Sequence, residues 1–152
     1  MKNKLSIIFL SIFLIFSSLL PMNSCKERDE TTECFPSVSI NVVLNLNLPA
    51  YFDLQTVGWL YTNEQSDGTR GLVVVKLPAG GFKVYDRNAP HLCPADDTTL
   101  VVENNLYLVC PQDNSKWLLT TGEPMQGNTA GFLPKTYPTS YNPSSNILTI
   151  YN

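Results

Sequence analysis

The chain has 152 residues, room for one domain of moderate size once its first 25 residues are set aside as a targeting segment. Eight glycines and eleven prolines, in a body rich in Val, Thr, Tyr and Asn, favour strands and turns over helices. The formal charge is −3, and beyond Lys2 and Lys4 eight Lys and Arg stand against thirteen Asp and Glu with no basic patch among aromatics, so nucleic acid is excluded as an expected partner.

Lys2 and Lys4 form a positive start, and Leu5 to Leu20 is an apolar run interrupted only by serines. Sixteen helical residues reach ~24 Å, short of the ~30 Å hydrocarbon core, which favours a signal peptide over a permanent membrane span. Pro21-Met22-Asn23-Ser24-Cys25 follows. A small residue before Cys at this place resembles the lipobox of bacterial lipoproteins, with Met22 and Asn23 departing from the usual Leu and small residue. The resemblance implies that 1–24 is a removed signal peptide and that Cys25 carries lipid; a plainly cleaved signal with a free Cys25 is the alternative. Residues 25–36, opening on Lys26-Glu27-Arg28-Asp29-Glu30, are expected to be a solvated tether. The charged run resembles the surface-export tag of some Bacteroidetes lipoproteins, and a plain spacer explains it equally well.

The domain is expected over 37–152. Val38 to Leu48 predicts a strand, with Val43, Leu44, Leu46 and Leu48 set against Asn45 and Asn47, and Pro49 ends it. Tyr51 to Leu54 is read as a connection. Strands are predicted over 58–62 and 71–77, the latter with Val73, Val74 and Val75 at its centre. Pro78-Ala79-Gly80-Gly81 turns into a partner strand over 82–86. A loop over 87–99 leads to a hairpin of 100–103 and 106–110 across Asn104-Asn105. A second loop over 111–115 precedes a strand over 116–120 and a turn at Thr121-Gly122-Glu123. After an irregular crossing over 126–136, 137–141 and 147–151 form a last hairpin. No helical stripe exceeds two turns, so the reading is all-β, a small sandwich or barrel.

The two loops are the informative part. One reads Tyr85-Asp86-Arg87-Asn88-Ala89-Pro90-His91 and the other Val109-Cys110-Pro111-Gln112-Asp113-Asn114-Ser115. Downstream come Gly122-Glu123-Pro124, Gly127, Ala130, Leu133 through Tyr137, and the closing Ile147-Leu148-Thr149-Ile150. This order resembles the Rieske iron–sulfur family over roughly 56–152. That family's pattern is Cys-x-His, a gap of about sixteen, then Cys-x-x-His, with two thiolates on one iron and two imidazoles on the other. The Asn45-Leu46-Asn47-Leu48-Pro49 stretch and the Gly71-Leu72-Val73-Val74-Val75 hairpin strand are similar to Rieske-like lipoproteins of Bacteroidetes and flavobacteria. The resemblance implies a Rieske-like small β fold with two apposed ligand loops at one end, and places Ala89, His91, Cys110 and Asp113 at the four ligand positions.

Those residues predict that no [2Fe–2S] cluster is bound. Ala89 offers a methyl where a thiolate is required, and Asp113 a hard carboxylate where an imidazole is required. One alternative is an altered site of His91, Cys93, Cys110 and Asp113, holding either a [2Fe–2S] cluster or one zinc ion. Another is a disulfide. Some Rieske domains tie their two loops this way, which implies a Cys93–Cys110 bond here, worth ~3 kcal/mol in chain entropy, with Cys34 as the rival partner for either thiol. His91, the only histidine, is otherwise expected to be a surface or hydrogen-bonded side chain, and Asp113 is expected to cap an Asx-type turn with Ser115. Trp59, Tyr61, Trp117 and Tyr137 are expected in packing. Asp96-Asp97 lacks the alternating ligands of a calcium loop. No nucleophile, base and orienter set is visible, so an enzyme is not expected.

The functional expectation is a cell-envelope protein, anchored to the outer membrane through lipid on Cys25, on its periplasmic face or at the cell surface. It would bind a protein partner or serve as a structural accessory. The rivals are electron transfer through an altered metal site, and an accessory subunit of an envelope oxidoreductase.

Overall fold

The computed structural model describes residues 34–62, 67–126 and 131–152; the expected signal peptide, Cys25 and the tether up to residue 33 lie outside the described residues. The strands are β1 (Asn41–Asn45), β2 (Trp59–Tyr61), β3 (Leu72–Lys76), β4 (Phe82–Asp86), β5 (Val101–Glu103), β6 (Tyr107–Val109), β7 (Lys116–Leu118), β8 (Pro124–Gln126), β9 (Thr136–Tyr137), β10 (Thr139–Asn142) and β11 (Ile147–Tyr151). They form antiparallel sheets of order β1-β11-β10, β2-β3-β4-β9 and β5-β6-β7-β8, so the all-β expectation holds. Among the described residues no helix is long and apolar enough to cross a membrane.

The β2-β3-β4-β9 sheet lies between two cores. Leu72, Val74 and Val84 pack with Leu44, Leu54, Leu148 and Ile150. Val73, Val75 and Tyr85 pack on the opposite side with Leu100, Leu108 and Trp117. Successive side chains of a strand point to opposite faces, so a strand covered on both faces must be apolar throughout. That is why β3 reads as an unbroken Leu-Val-Val-Val run with all four residues buried. Each such side chain contributes ~1.5–3 kcal/mol by leaving water.

Proline and asparagine set the breaks between strands. The expected single strand over 137–141 is divided at Pro138, where a ladder hydrogen bond cannot be donated. Thr136 and Tyr137 pair with β4, and Thr139 onward pairs with β11, so the chain changes sheet at this residue. Asn104 and Asn105 hold φ of 54° and 56°, the left-handed pair that matches a tight hairpin turn to strand twist. Two further elements depart from expectation. The expected connection after Pro49 is a 3-10 turn (Pro49–Tyr51) followed by a short helix, α1 (Asp53–Thr56), whose Leu54 closes one end of the first core. Pro124–Gln126 adds β8 to the edge of β7, where a turn and crossing were expected. The first strand is shorter than the expected 38–48: β1 covers only Asn41–Asn45, Leu44 and the following Leu46 are buried, and Val43 and Leu48 are exposed.

The loop over 87–99 leads into β5, and the loop over 110–115 leaves β6. Because β5 and β6 run antiparallel, both loops lie at the same end of that sheet. A disulfide pins this end, and it is the rival pairing through Cys34 in place of Cys93–Cys110. Cys34 is bonded to Cys93, and Cys110 is a free thiol. The correction has a physical reason. Cys110 is fully buried in the second core beside Leu108 and Trp117, whereas Cys93 lies exposed on the outer side of its loop. Cys34, counted with the tether, is therefore covalently part of the domain.

The Cys34–Cys93 bond spans 59 residues of sequence, a closure worth about 4 kcal/mol in the chain-entropy picture. Cys93→Ser is expected to cost about 2–4 kcal/mol in urea denaturation. Non-reducing peptide mapping should recover a Cys34–Cys93 crosslink, and Cys110 should alkylate only after unfolding; a Cys93–Cys110 peptide would contradict the fold described here.

Candidate functional site

The first loop is organised from its base. Asp86, the last residue of β4, is buried, and its Oδ1 accepts the Asn88 N–H at 2.9 Å. Its Oδ2 accepts the Thr69 N–H at 2.7 Å and the Tyr137 hydroxyl at 2.8 Å. The Asn88 side-chain amide then donates to the carbonyls of Ala89 (2.8 Å) and Leu92 (2.9 Å), curling the loop around itself. The Ala89 N–H reaches the Thr98 carbonyl at 2.9 Å. These bonds fix where Ala89 and His91 stand.

The second loop is a tight turn. The Asn114 N–H donates to the Cys110 carbonyl, and the Cys110 N–H to the Ser115 carbonyl. Asp113 Oδ1 accepts the Ser115 N–H at 3.0 Å and Oδ2 the Ser115 hydroxyl at 2.8 Å, the Asx-type arrangement expected from sequence. The Gln112 N–H donates to the Asp97 carbonyl, a backbone link between the loops.

The loops meet at His91 and Asp113. His91 Nε2 stands 2.6 Å from Asp113 Oδ2, so Nε2 carries the proton and donates it to the carboxylate. The imidazole is nearly fully buried, 5.7 Å from the Trp117 ring and 5.8 Å from the Phe132 ring. Its Nδ1 is buried without a hydrogen-bond partner among the described residues. Burial pushes the Asp113 carboxyl upward, but hydrogen bonds from His91, from the Ser115 N–H and hydroxyl, and from the Cys110 thiol outweigh it and hold the group at about 2. Burial in the apolar core pushes the Cys110 thiol upward, and the Asp113 charge adds to that push against the opposing backbone bonds, so the thiol stays protonated.

Three of the four ligand-position residues are thus brought together, and Ala89 packs in the same core as Cys110. Their chemistry does not fit a [2Fe–2S] cluster. Ala89 has no donor atom, the Nε2 of His91 is committed to Asp113, and Cys110 is a protonated core thiol. The alternative set of His91, Cys93, Cys110 and Asp113 fails for a further reason: Cys93 is spent in the disulfide with Cys34. Among the described residues no three His, Cys, Asp or Glu side chains are placed to share a metal ion. Trp59, Tyr61, Trp117 and Tyr137 all pack in or against the two cores, as expected.

No family model matches the sequence, and no curated protein matches it significantly. Among solved structures, the chain is similar to a Mycobacterium tuberculosis protein assigned as the small subunit of an NADH-dependent nitrite reductase. The TM-score is 0.43 at 10% sequence identity, covering 76% of this chain and 96% of that one.

Sequence reasoning missed Asp86, Gly68 and Tyr137 as the group that seats the first loop. Gly68 has φ +69°, and a Cβ there would stand 2.7 Å from Asp86 Oδ2. A Gly in a polar turn carries no mark of such an approach; only the buried carboxylate it touches reveals the need.

The Asp113 group yields a signed pH dependence. Its folded value of about 2 lies below the ordinary 3.8, so its stabilising contribution is complete above about pH 5 and is lost as pH falls toward 2. In urea denaturation, Asp113→Asn should flatten this acid limb. Asp113→Ala should cost about 2–3 kcal/mol at pH 7, because it strands the His91 ring and the Ser115 N–H. An unchanged acid limb in the Asn variant would remove Asp113 from this role.

Proposed function

We propose that this chain is a lipid-anchored envelope protein whose Rieske-like domain works without a [2Fe–2S] cluster, as a binding or structural component rather than as an electron carrier. One observation carries the reading: where the family's loops would meet through iron, His91 donates instead to Asp113 at 2.6 Å. The order of loops, hairpin and tail in the sequence supports the family, and the apposition of 87–99 with 110–115 is the arrangement that family uses. Electron transfer needs a redox centre, and Ala89, a committed His91, a disulfide-bound Cys93 and a protonated Cys110 supply no ligand set for one.

The membrane part of the proposal rests on the sequence before residue 34. The apolar run ending at Leu20 and the Ser24-Cys25 step support export and acylation of Cys25. Lys26 to Glu30 then make a charged spacer between the anchor and the disulfide-stapled domain. A single surface anchored this way suits a protein held near a membrane-bound partner.

Two measurements test the reading. The full chain, produced anaerobically in a host with active cluster assembly, is expected to be colourless and free of stoichiometric iron, zinc and sulfide. A brown protein with matched iron and sulfide would overturn the cluster-free reading. In the same host, the chain is expected to incorporate labelled fatty acid and sediment with membranes. Cys25→Ser should abolish the label; label retained in that variant would overturn the anchor.

A further inference from the structure

Outside the His91–Asp113 contact, the same loops border a second feature. A cleft of about 410 Å³ is lined by Thr69, Arg70, Arg87, Asp96, Thr99 and Pro111. It collects residues from both loops and from the approach to β3. Arg87 lies with its guanidinium 3.8 Å over the Tyr61 ring, and its Nε donates to the Leu100 carbonyl at 3.1 Å. Those contacts fix the plane of the guanidinium and leave its two terminal nitrogens without a hydrogen-bond partner among the described residues. Arg70 donates through Nε to the Thr99 hydroxyl at 2.9 Å and through a terminal nitrogen to Asp96, whose side chain is fully exposed. Thr69 contributes a buried hydroxyl with no hydrogen-bond partner among the described residues.

Two guanidinium groups drawn into one partly desolvated cleft repel each other. Burial already weighs against the charge on Arg87, and the neighbouring Arg70 adds to that despite the opposing effect of Tyr61. Among the described residues that line the cleft, Asp96 is the one carboxylate beside two guanidinium groups. In a chain of net charge −3 this is a local excess of positive charge, placed in a concave site with free donors. Guanidinium forks match the paired oxygens of phosphate and carboxylate groups.

We propose that this cleft is an oxyanion site, taking the phosphate or carboxylate group of a small organic anion between Arg87 and Arg70. Arg87, oriented by Tyr61 and the Leu100 carbonyl, is the fixed donor. Arg70 is the adjustable one, held by Asp96 when the site is empty of ligand and turned to the anion when Asp96 is displaced. The volume exceeds that of a bare phosphate, so the bound group belongs to a larger molecule, of about the size of a sugar phosphate. The site is separate from the His91–Asp113 contact, and its occupancy does not depend on whether the domain carries iron.

Isothermal titration of the full chain in neutral detergent, with inorganic phosphate, glucose 6-phosphate and citrate as probes, tests this. At least one organic probe should bind at about 1 mM or tighter and better than inorganic phosphate, with affinity falling as salt rises. Arg70→Gln should weaken binding about tenfold, and Arg87→Gln at least as much. Asp96→Asn should tighten binding several-fold, because it frees Arg70; a merely structural pair would not respond this way. Arg70→Gln removes a partly exposed side chain bonded to Thr99 and Asp96 and lies outside both cores, so it reports binding even if Arg87→Gln fails to fold. No binding of any probe, binding of inorganic phosphate alone, or Arg70→Gln and Asp96→Asn variants that bind as the parent does would each overturn the proposal.

Discussion

The hydrogen bond from His91 to Asp113 is the constraint on which the tip of this domain depends. It joins two loops that leave the sheets at the same end and are also linked by a backbone bond from Gln112 to Asp97. The carboxylate is fully used: His91, the Ser115 N–H, the Ser115 hydroxyl and the Cys110 thiol all donate to it. A charge-assisted bond of this kind contributes about 1.5–3 kcal/mol, and more is at stake if it is broken. The imidazole would be left against Trp117 and Phe132 with Nε2 unpaired as well, since Nδ1 already has no partner among the described residues.

That contact is only as well placed as its supports. Asp86 sits beneath the first loop and gathers three separate segments: the turn before β3 through Thr69, the loop itself through Asn88, and β9 through Tyr137. Burial raises the Tyr137 hydroxyl, and the bond to Asp86 and its charge raise it further, so the phenol remains a donor. The close approach of Gly68 follows from the same carboxylate. The second loop draws its order from Asp113 itself, so two aspartates, one below and one across, fix the geometry.

The strands and the two loops were legible because the period-2 patterns and the Gly, Pro and Asn breaks act locally. The Asx turn at Asp113 was legible for the same reason, since its partner Ser115 lies two residues away. The disulfide was not. Cys93 and Cys110 lie closer in sequence than Cys34 and Cys93, and only the inward rotation of Cys110 into the core, set by β6, decides against the shorter link. The helix α1 escaped notice because one buried side chain, Leu54, provides no periodicity. The His91–Asp113 bond fell between: Asp113 was read as a turn cap and His91 as a surface or hydrogen-bonded side chain, but the ring is buried, and a contact across 22 residues needs both loops folded first.

A metal cluster at such a tip would do two mechanical things: crosslink the loops and fill the space between them. Both are done here by side chains. Asp113 and His91 crosslink; Ala89, Cys110 and Trp117 fill, with no exposed surface among them; and the Cys34–Cys93 bond holds the outer edge of the first loop. A loop tied at its base, its centre and its rim is rigid. Rigidity has a consequence for the neighbouring surface. Arg87 opens the same loop, and Thr99 and Pro111 border it, so the cleft they line inherits fixed walls. A preformed cleft avoids the ordering cost that a mobile loop would incur on binding. The His91–Asp113 bond and the Cys34–Cys93 disulfide therefore place a stiff tip beside that cleft.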